Sequence, residues 1–196
     1  MKKRLLIFLI LCLTGFVIYK VTKKINLNFN YEVGQHLDSL NNVVVYYNGG
    51  VDNSSGRNTS PDNYNIGIKY QCVEFVKRYY YEHLNHKMPD AYGHAKDFFD
   101  KNLTDGELNT KRNLVQYKNG SKSKPKPDDL VIFSGSTFNK YGHVAIISSV
   151  DDDEIEIIQQ NPGPFGKSRD KIKLNNIDGL WTLDNDRLLG WLRKKE

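Results

Sequence analysis

Residues 70–80 read YQCVEFVKRYY. A cysteine heads a segment in which Val73, Val76 and Tyr80 recur at helical spacing, with Glu74, Lys77 and Arg78 off that stripe. The spacing predicts a helix from Cys72 to Leu84 with one buried face. Upstream, Asp52 to Asn65 is rich in Asn, Ser, Gly and Pro and reads as a long surface loop. Before it, VVVYY at 43–47 reads as a strand ended by Asn48-Gly49-Gly50. A second helix is expected from Tyr92 to Lys101, with Ala95, Phe98 and Phe99 inward. Past a basic loop at 119–127, NGSKSKPKP, the period changes to that of strands: LVIF at 130–133, VAIISSV at 144–150 and EIEII at 154–158. Further strands are expected at Asp170–Leu174 and Leu188–Leu192. Asp151-Asp152-Asp153 reads as a solvated hairpin turn rather than a metal cluster. Helices followed by a contiguous set of short strands indicate an α+β fold with an antiparallel sheet.

The 196 residues suit one domain with an appendage, and 39% hydrophobic with 26% charged residues excludes a disordered chain. A net charge of +5 hints at an anionic partner. Yet residues 1–24 hold Lys2, Lys3, Arg4, Lys20, Lys23 and Lys24 and no acid; subtracting those six from +5 leaves −1 for residues 25–196. The body is near neutral, so no nucleic acid is expected as a partner. Leu5 to Tyr19, LLIFLILCLTGFVIY, is an uncharged apolar run behind three basic residues, the layout of an export signal. No small-residue cleavage pattern follows it, for the first alanine is Ala91. The expectation is therefore an uncleaved anchor, with residues 5–21 in the membrane, rather than a cleaved signal, and with the body outside the cytoplasm. Residues 1–24 form the signal-anchor or signal peptide, 25–32 a short polar linker, and 33–196 the folded domain; cleavage would make the protein secreted.

Cys12 lies in the apolar run and Cys72 stands alone in the body, so no intradomain disulfide can form. Three strings carry polar residues of interest: YQC around Cys72, YGHVAII around His143, and IIQQN ending at Asn161. Singly each has a plain reading: core cysteine, structural histidine, loop. Together they match what thiol chemistry requires. A thiol nucleophile needs a base to take its proton, and the base needs a polar group to fix its tautomer. A helix N-terminus favours the thiolate and lowers the thiol pKa. A histidine beginning one strand and a polar side chain late in the next can meet across the hairpin. His83 and His86, with no third ligand nearby, read as surface residues; His36 and His94 have no partner that spacing reveals.

The order and spacing of YQCVEFVKRYY, PKPDDLVIF, YGHVAIISSV, IIQQN and RLLGWL resemble the CHAP family, the cysteine- and histidine-dependent amidohydrolases and peptidases. The likeness is greatest to the amidase half of bifunctional glutathionylspermidine synthetase/amidase and runs from about Val33 to Leu192. The resemblance implies a papain-like, NlpC/P60-like fold, with N-terminal helices packed on an antiparallel sheet behind the N-terminal membrane segment. It implies Cys72 as nucleophile, His143 as general base, and an orienting group within Gln159-Gln160-Asn161. Asn161 matches the family's asparagine, and Gln159 stands where these amidases usually have glutamate. Tyr70, Gln71 and Tyr141 would line the substrate site, with Gln71 also readable as a helix cap. The function so implied is amide hydrolysis through an acyl-enzyme, without cofactor or metal, by a monomer. Because of the export segment, peptidoglycan is expected as the substrate; the alternatives are a glutathionylspermidine-type amide or a degenerate binding module.

Overall fold

The computed structural model describes residues 2–137 and 139–195. Helix α1, Lys2–Thr22, is apolar and has no buried residue. Two small antiparallel hairpins follow: β1 (His36–Leu40) with β2 (Val43–Tyr46), and β3 (Arg57–Thr59) with β4 (Asn65–Ile68). Helix α2 spans Cys72–Glu82, and a single 3₁₀ turn spans Ala95–Phe98. The rest is strand: β5 (Glu107–Asn109), β6 (Leu114–Lys118), β7 (Leu130–Phe133), β8 (His143–Val150), β9 (Glu154–Ile158), β10 (Arg169–Ile177), β11 (Leu180–Leu183) and β12 (Leu188–Lys194). These eight form one antiparallel sheet in the order β11-β10-β9-β8-β7-β12-β6-β5.

Two cores lie on its two faces. One face packs against α2 through Leu130, Ile132, Val144, Ile146, Ile158 and Leu192, meeting Phe75, Val76, Tyr79 and Tyr80. The other core, around Trp191, draws all its buried members from β7 to β12 themselves. A sheet can cover its own face only by curling, and the edges show how. Beyond β6, Asn119, Gly120 and Ser121 hydrogen bond to Trp181 and Leu183 of β11, joining the two ends of the sheet into a partly closed barrel.

Several expectations are revised. Only one true helix packs on the sheet: Tyr92–Lys101 supplies a 3₁₀ turn, because Gly93 sits at φ +111° and Asp97 caps His94 after a single turn. The 52–65 stretch is no plain loop, since it contains β3 and the start of β4. Helix α2 is buried nearly all round: β2 and β4 pack against it, and Glu74, Lys77 and Arg78 are inside and hydrogen bonded. His86 is buried too, its ring nitrogen on the Arg112 carbonyl at 2.9 Å, because the chain after α2 turns inward beneath Tyr80.

Candidate active site

Three chain segments converge here: the first turn of α2, the start of β8 and the residues after β9. The turn into β8 needs glycine at 142. Its φ is +75°, and a Cβ would lie 2.5 Å from the Phe133 carbonyl. His143 follows, opposite Phe133 on β7. Its Nε2 lies 2.8 Å from Gln159 Oε1. The amide end of Gln159 donates to the Lys167 carbonyl at 3.2 Å, which leaves Oε1 as the acceptor facing the ring. Nε2 therefore carries the proton, and Nδ1 keeps its lone pair. Burial holds the imidazole well below its ordinary range, at about 4; the Gln159 contact works against that and Arg187 adds to it.

Cys72 is the first residue of α2 and packs on the core. That core includes Val144, the residue after His143, and the backbone N–H groups of Val144, Val73 and Cys72 itself favour the thiolate. No hydrogen bond joins Cys72 to His143 among the described residues. Burial pushes the thiol up to about 11, outweighing those N–H groups. This reverses the expectation that the helix N-terminus lowers it. The helix end offers only partial charge, whereas burial removes the water that would solvate a thiolate.

Around the pair lies a network that spacing did not reveal. Gln71 occupies the N-cap position, but its side chain caps nothing: its amide donates to the carbonyls of Val51 (3.2 Å) and Asn53 (2.7 Å). Its Oε1 accepts from Asn161, which also donates to Val51 O at 2.9 Å. Asn161 takes φ +58°. It bonds to Gln71 and Val51 while Gln159 holds the histidine, and its Oδ1 is buried with no partner among the described residues. Gln160, fully buried, donates to Gln71 O (3.0 Å) and Glu74 Oε2 (2.8 Å) and accepts from Tyr46 N. Glu74 in turn pairs with Arg78 at 2.7 Å. A buried glutamate one turn into α2 thus bolts that helix to the residues after β9. Its only sequence signal was a charge at a position read as exposed. Tyr70, at φ +67°, packs its ring on Tyr46. Tyr141 is exposed on the turn before His143, against His94 at 4.5 Å. Among the described residues no cluster of three His, Cys, Asp or Glu could hold a metal, and Asp151–Asp153 form the β8–β9 turn.

A family model described as "CHAP domain" matches residues 62–161, which takes in Cys72, His143 and Gln159. Trypanothione synthetase of Crithidia fasciculata is 37% identical over 136 residues, covering 67% of this chain and 21% of that protein. The bifunctional glutathionylspermidine synthetase/amidase of Escherichia coli K12 is 30% identical over 156 residues, 74% of this chain and 25% of that protein. The chain thus spans a quarter or less of the length of these relatives. Among solved structures, the crystal structure of Ly7917 aligns at 22% identity over 37% of this chain and 29% of its own, with a TM-score of 0.24.

Proposed function

The chain belongs to the CHAP domain family, and from that premise we propose that it hydrolyses an amide bond through a thioester on Cys72. One observation carries the reading: helix α2, headed by Cys72, packs on strand β8, which begins at His143, whose tautomer Gln159 fixes. As sulfur attacks the carbonyl carbon, its proton passes to Nδ1 of His143. The C–N bond then breaks, and the imidazolium returns that proton to the departing amine. Water, deprotonated by His143, attacks the thioester and releases carboxylate and free thiol. The Cys72 N–H, at the helix start, stabilises the oxyanion. Gln159 is a positioning residue: it holds the ring but, being neutral, stabilises imidazolium less than a carboxylate would. Asn161 and Gln71 brace the first turn of α2 against the Val51 and Asn53 carbonyls.

For substrate we infer a peptide amide of peptidoglycan, supported by the exposed apolar helix α1 ahead of the domain. A glutathionylspermidine-type amide is the second reading, supported by the names of the relatives. The test incubates the full chain in detergent, wild type and Cys72→Ala, with purified peptidoglycan and with glutathionylspermidine, and reads products by mass spectrometry. Cysteine-dependent muropeptide release supports the first reading. Spermidine release alone replaces it with the second, and no cysteine-dependent product from either refutes both.

A further inference from the structure

The segment after α1 does not hang free as the expected linker. Lys23 O accepts from Asp52 N at 2.8 Å, and Lys23 pairs with the Asp52 carboxylate at 3.4 Å. Gly50 lies against the carbonyls of Lys23 and Ile25 so tightly that any side chain there would collide. Residues 25–29 then alternate, but inverted. Asn26 and Asn28 point inward: Asn26 Oδ1 accepts from Tyr47 Oη at 2.8 Å, and Asn28 Nδ2 donates to Pro164 O at 3.0 Å. Ile25, Leu27 and Phe29 face out, Phe29 at 92% exposure, and Phe165, on the loop that Asn28 grips, is 72% exposed. Turning the half-buried amides inward and exposing the apolar side chains serves no monomer in water; it prepares a face for an apolar medium.

That face continues α1. Twenty-one residues at ~1.5 Å each give ~32 Å, enough to cross a hydrocarbon core of ~30 Å. With no slack between Thr22 and the docked Lys23, a spanning α1 leaves the body no room to stand off. At the body's end of α1, residues 20–31 carry Lys20, Lys23 and Lys24 and no acid, Lys23 being paired with Asp52. A second copy offering the same face would repel it, whereas an anionic lipid surface would attract it, by ~1 kcal/mol per cation close to the surface. The face also adjoins the residues that flank Cys72: the 50–53 loop that holds Lys23 presents the Val51 and Asn53 carbonyls to Gln71, and the Val51 carbonyl to Asn161.

We propose that Ile25, Leu27, Phe29 and Phe165, with Lys20 and Lys24, seat the body on an anionic bilayer, so that the domain works on substrate presented at the membrane surface. The docking itself does not rest on the hydrolase reading. The test reconstitutes the full chain, carrying Phe29→Trp, Phe165→Trp or Ile177→Trp, into phosphatidylcholine/phosphatidylglycerol vesicles containing brominated lipid. Ile177, 63% exposed on β10, is the comparator. The expected result is severalfold stronger quenching at 29 and 165 than at 177, unchanged by Cys72→Ala. Equal quenching at 165 and 177, or failure of the chain to float with the vesicles, would overturn the proposal. Normal quenching in a protein with no cysteine-dependent activity would instead sink the hydrolase reading and leave the docking intact.

Discussion

Replacing Gln159 with glutamate isolates what the neutral amide does to His143. The wild-type contact is a 2.8 Å hydrogen bond to a side chain only 8% exposed. A carboxylate there faces the ring at about 4 Å between charge centres, worth ~4 kcal/mol at an effective dielectric of ~20. At 1.36 kcal/mol per unit this could raise the imidazole by at most about 3 units, from about 4 to the ordinary histidine range or just above it. A second consequence runs the other way. Gln159 Nε2 donates to Lys167 O at 3.2 Å, and a carboxylate oxygen would face that carbonyl instead. Losing the bond and opposing two acceptors costs ~1–3 kcal/mol of stability. Arg187, whose charge already bears on the ring, favours ionisation of the new carboxyl. The assay is an NMR titration of the histidine imidazoles, with His143 assigned by its loss in His143→Ala, alongside urea unfolding. A raised His143 pKa with a modest drop in stability is expected. A folded Gln159→Glu protein whose His143 still titrates near 4 would refute the assignment of Gln159 as the group that governs the base.

Stability should peak between about pH 6.5 and 9. His143 is held below its unfolded value, so the unfolded chain binds the extra proton as pH falls from 6.5 toward 4 and stability declines by up to ~1.4 kcal/mol per unit; buried His86 acts in the same direction. Cys72 is held above its unfolded value, so the folded chain keeps the proton longer and stability declines between 9 and 11. Chemical denaturation across pH checks both limbs, and Cys72→Ala should flatten the alkaline one. Glu74→Ala leaves Arg78 buried without its carboxylate and frees Gln160 and Asn58, a loss of ~3–5 kcal/mol by denaturant titration; a loss under ~1 kcal/mol would mean the network is not structural. His143→Ala should lower kcat/KM by ~10²–10⁴ while leaving the unfolding midpoint at pH 8 nearly unchanged.

Cys72, His143 and Gln159, the candidate site residues, sit where periodicity changes, at a helix start, a strand start and just past a strand end, and those boundaries are local features of the sequence. The main strands were also legible: LVIF is buried throughout and reads as a continuous apolar run, Val144–Ile147 does the same, and EIEII alternates glutamate with buried isoleucine. β5, β6 and β11 were missed because they are short and mix polar with apolar residues: β5 with β6 and β10 with β11 form local hairpins that lack a strong apolar run, and β6 is also held by β12, distant in sequence. The closure of the sheet through Asn119–Ser121 depends on partners some sixty residues away and has no local signal. The burial of Glu74, Lys77 and Arg78 was misread because a charge off an apolar stripe normally means solvent; here β2 and β4 cover that side. Gln71 looked like a cap because Gln at a helix start can be one, and only the carbonyls of a loop some eighteen to twenty residues earlier show its actual partners.

The protonation state of the resting pair follows from the same numbers. Burial pushes the thiol up to about 11 and the imidazole down to about 4, so both shifts oppose moving the proton from Cys72 to His143. The proposed mechanism is therefore one in which His143 acts as a general base during attack rather than as the partner of a preformed thiolate. The two cases part on the alkaline side. An ion-pair enzyme loses activity near pH 8–9, as the imidazolium gives up its proton, and its thiolate alkylates at a constant rate from acid to neutral pH. A neutral pair gives kcat/KM that rises through about pH 4 and holds until the thiol or the fold titrates. Its alkylation by iodoacetamide climbs with pH throughout and at neutrality is slower than that of a free thiol. Brief pH jumps from a neutral stock keep the fold intact while the rates are read. A flat alkylation profile between pH 5 and 8 would show that an ion pair forms after all, and that the burial which sets both pKa values is relieved in solution.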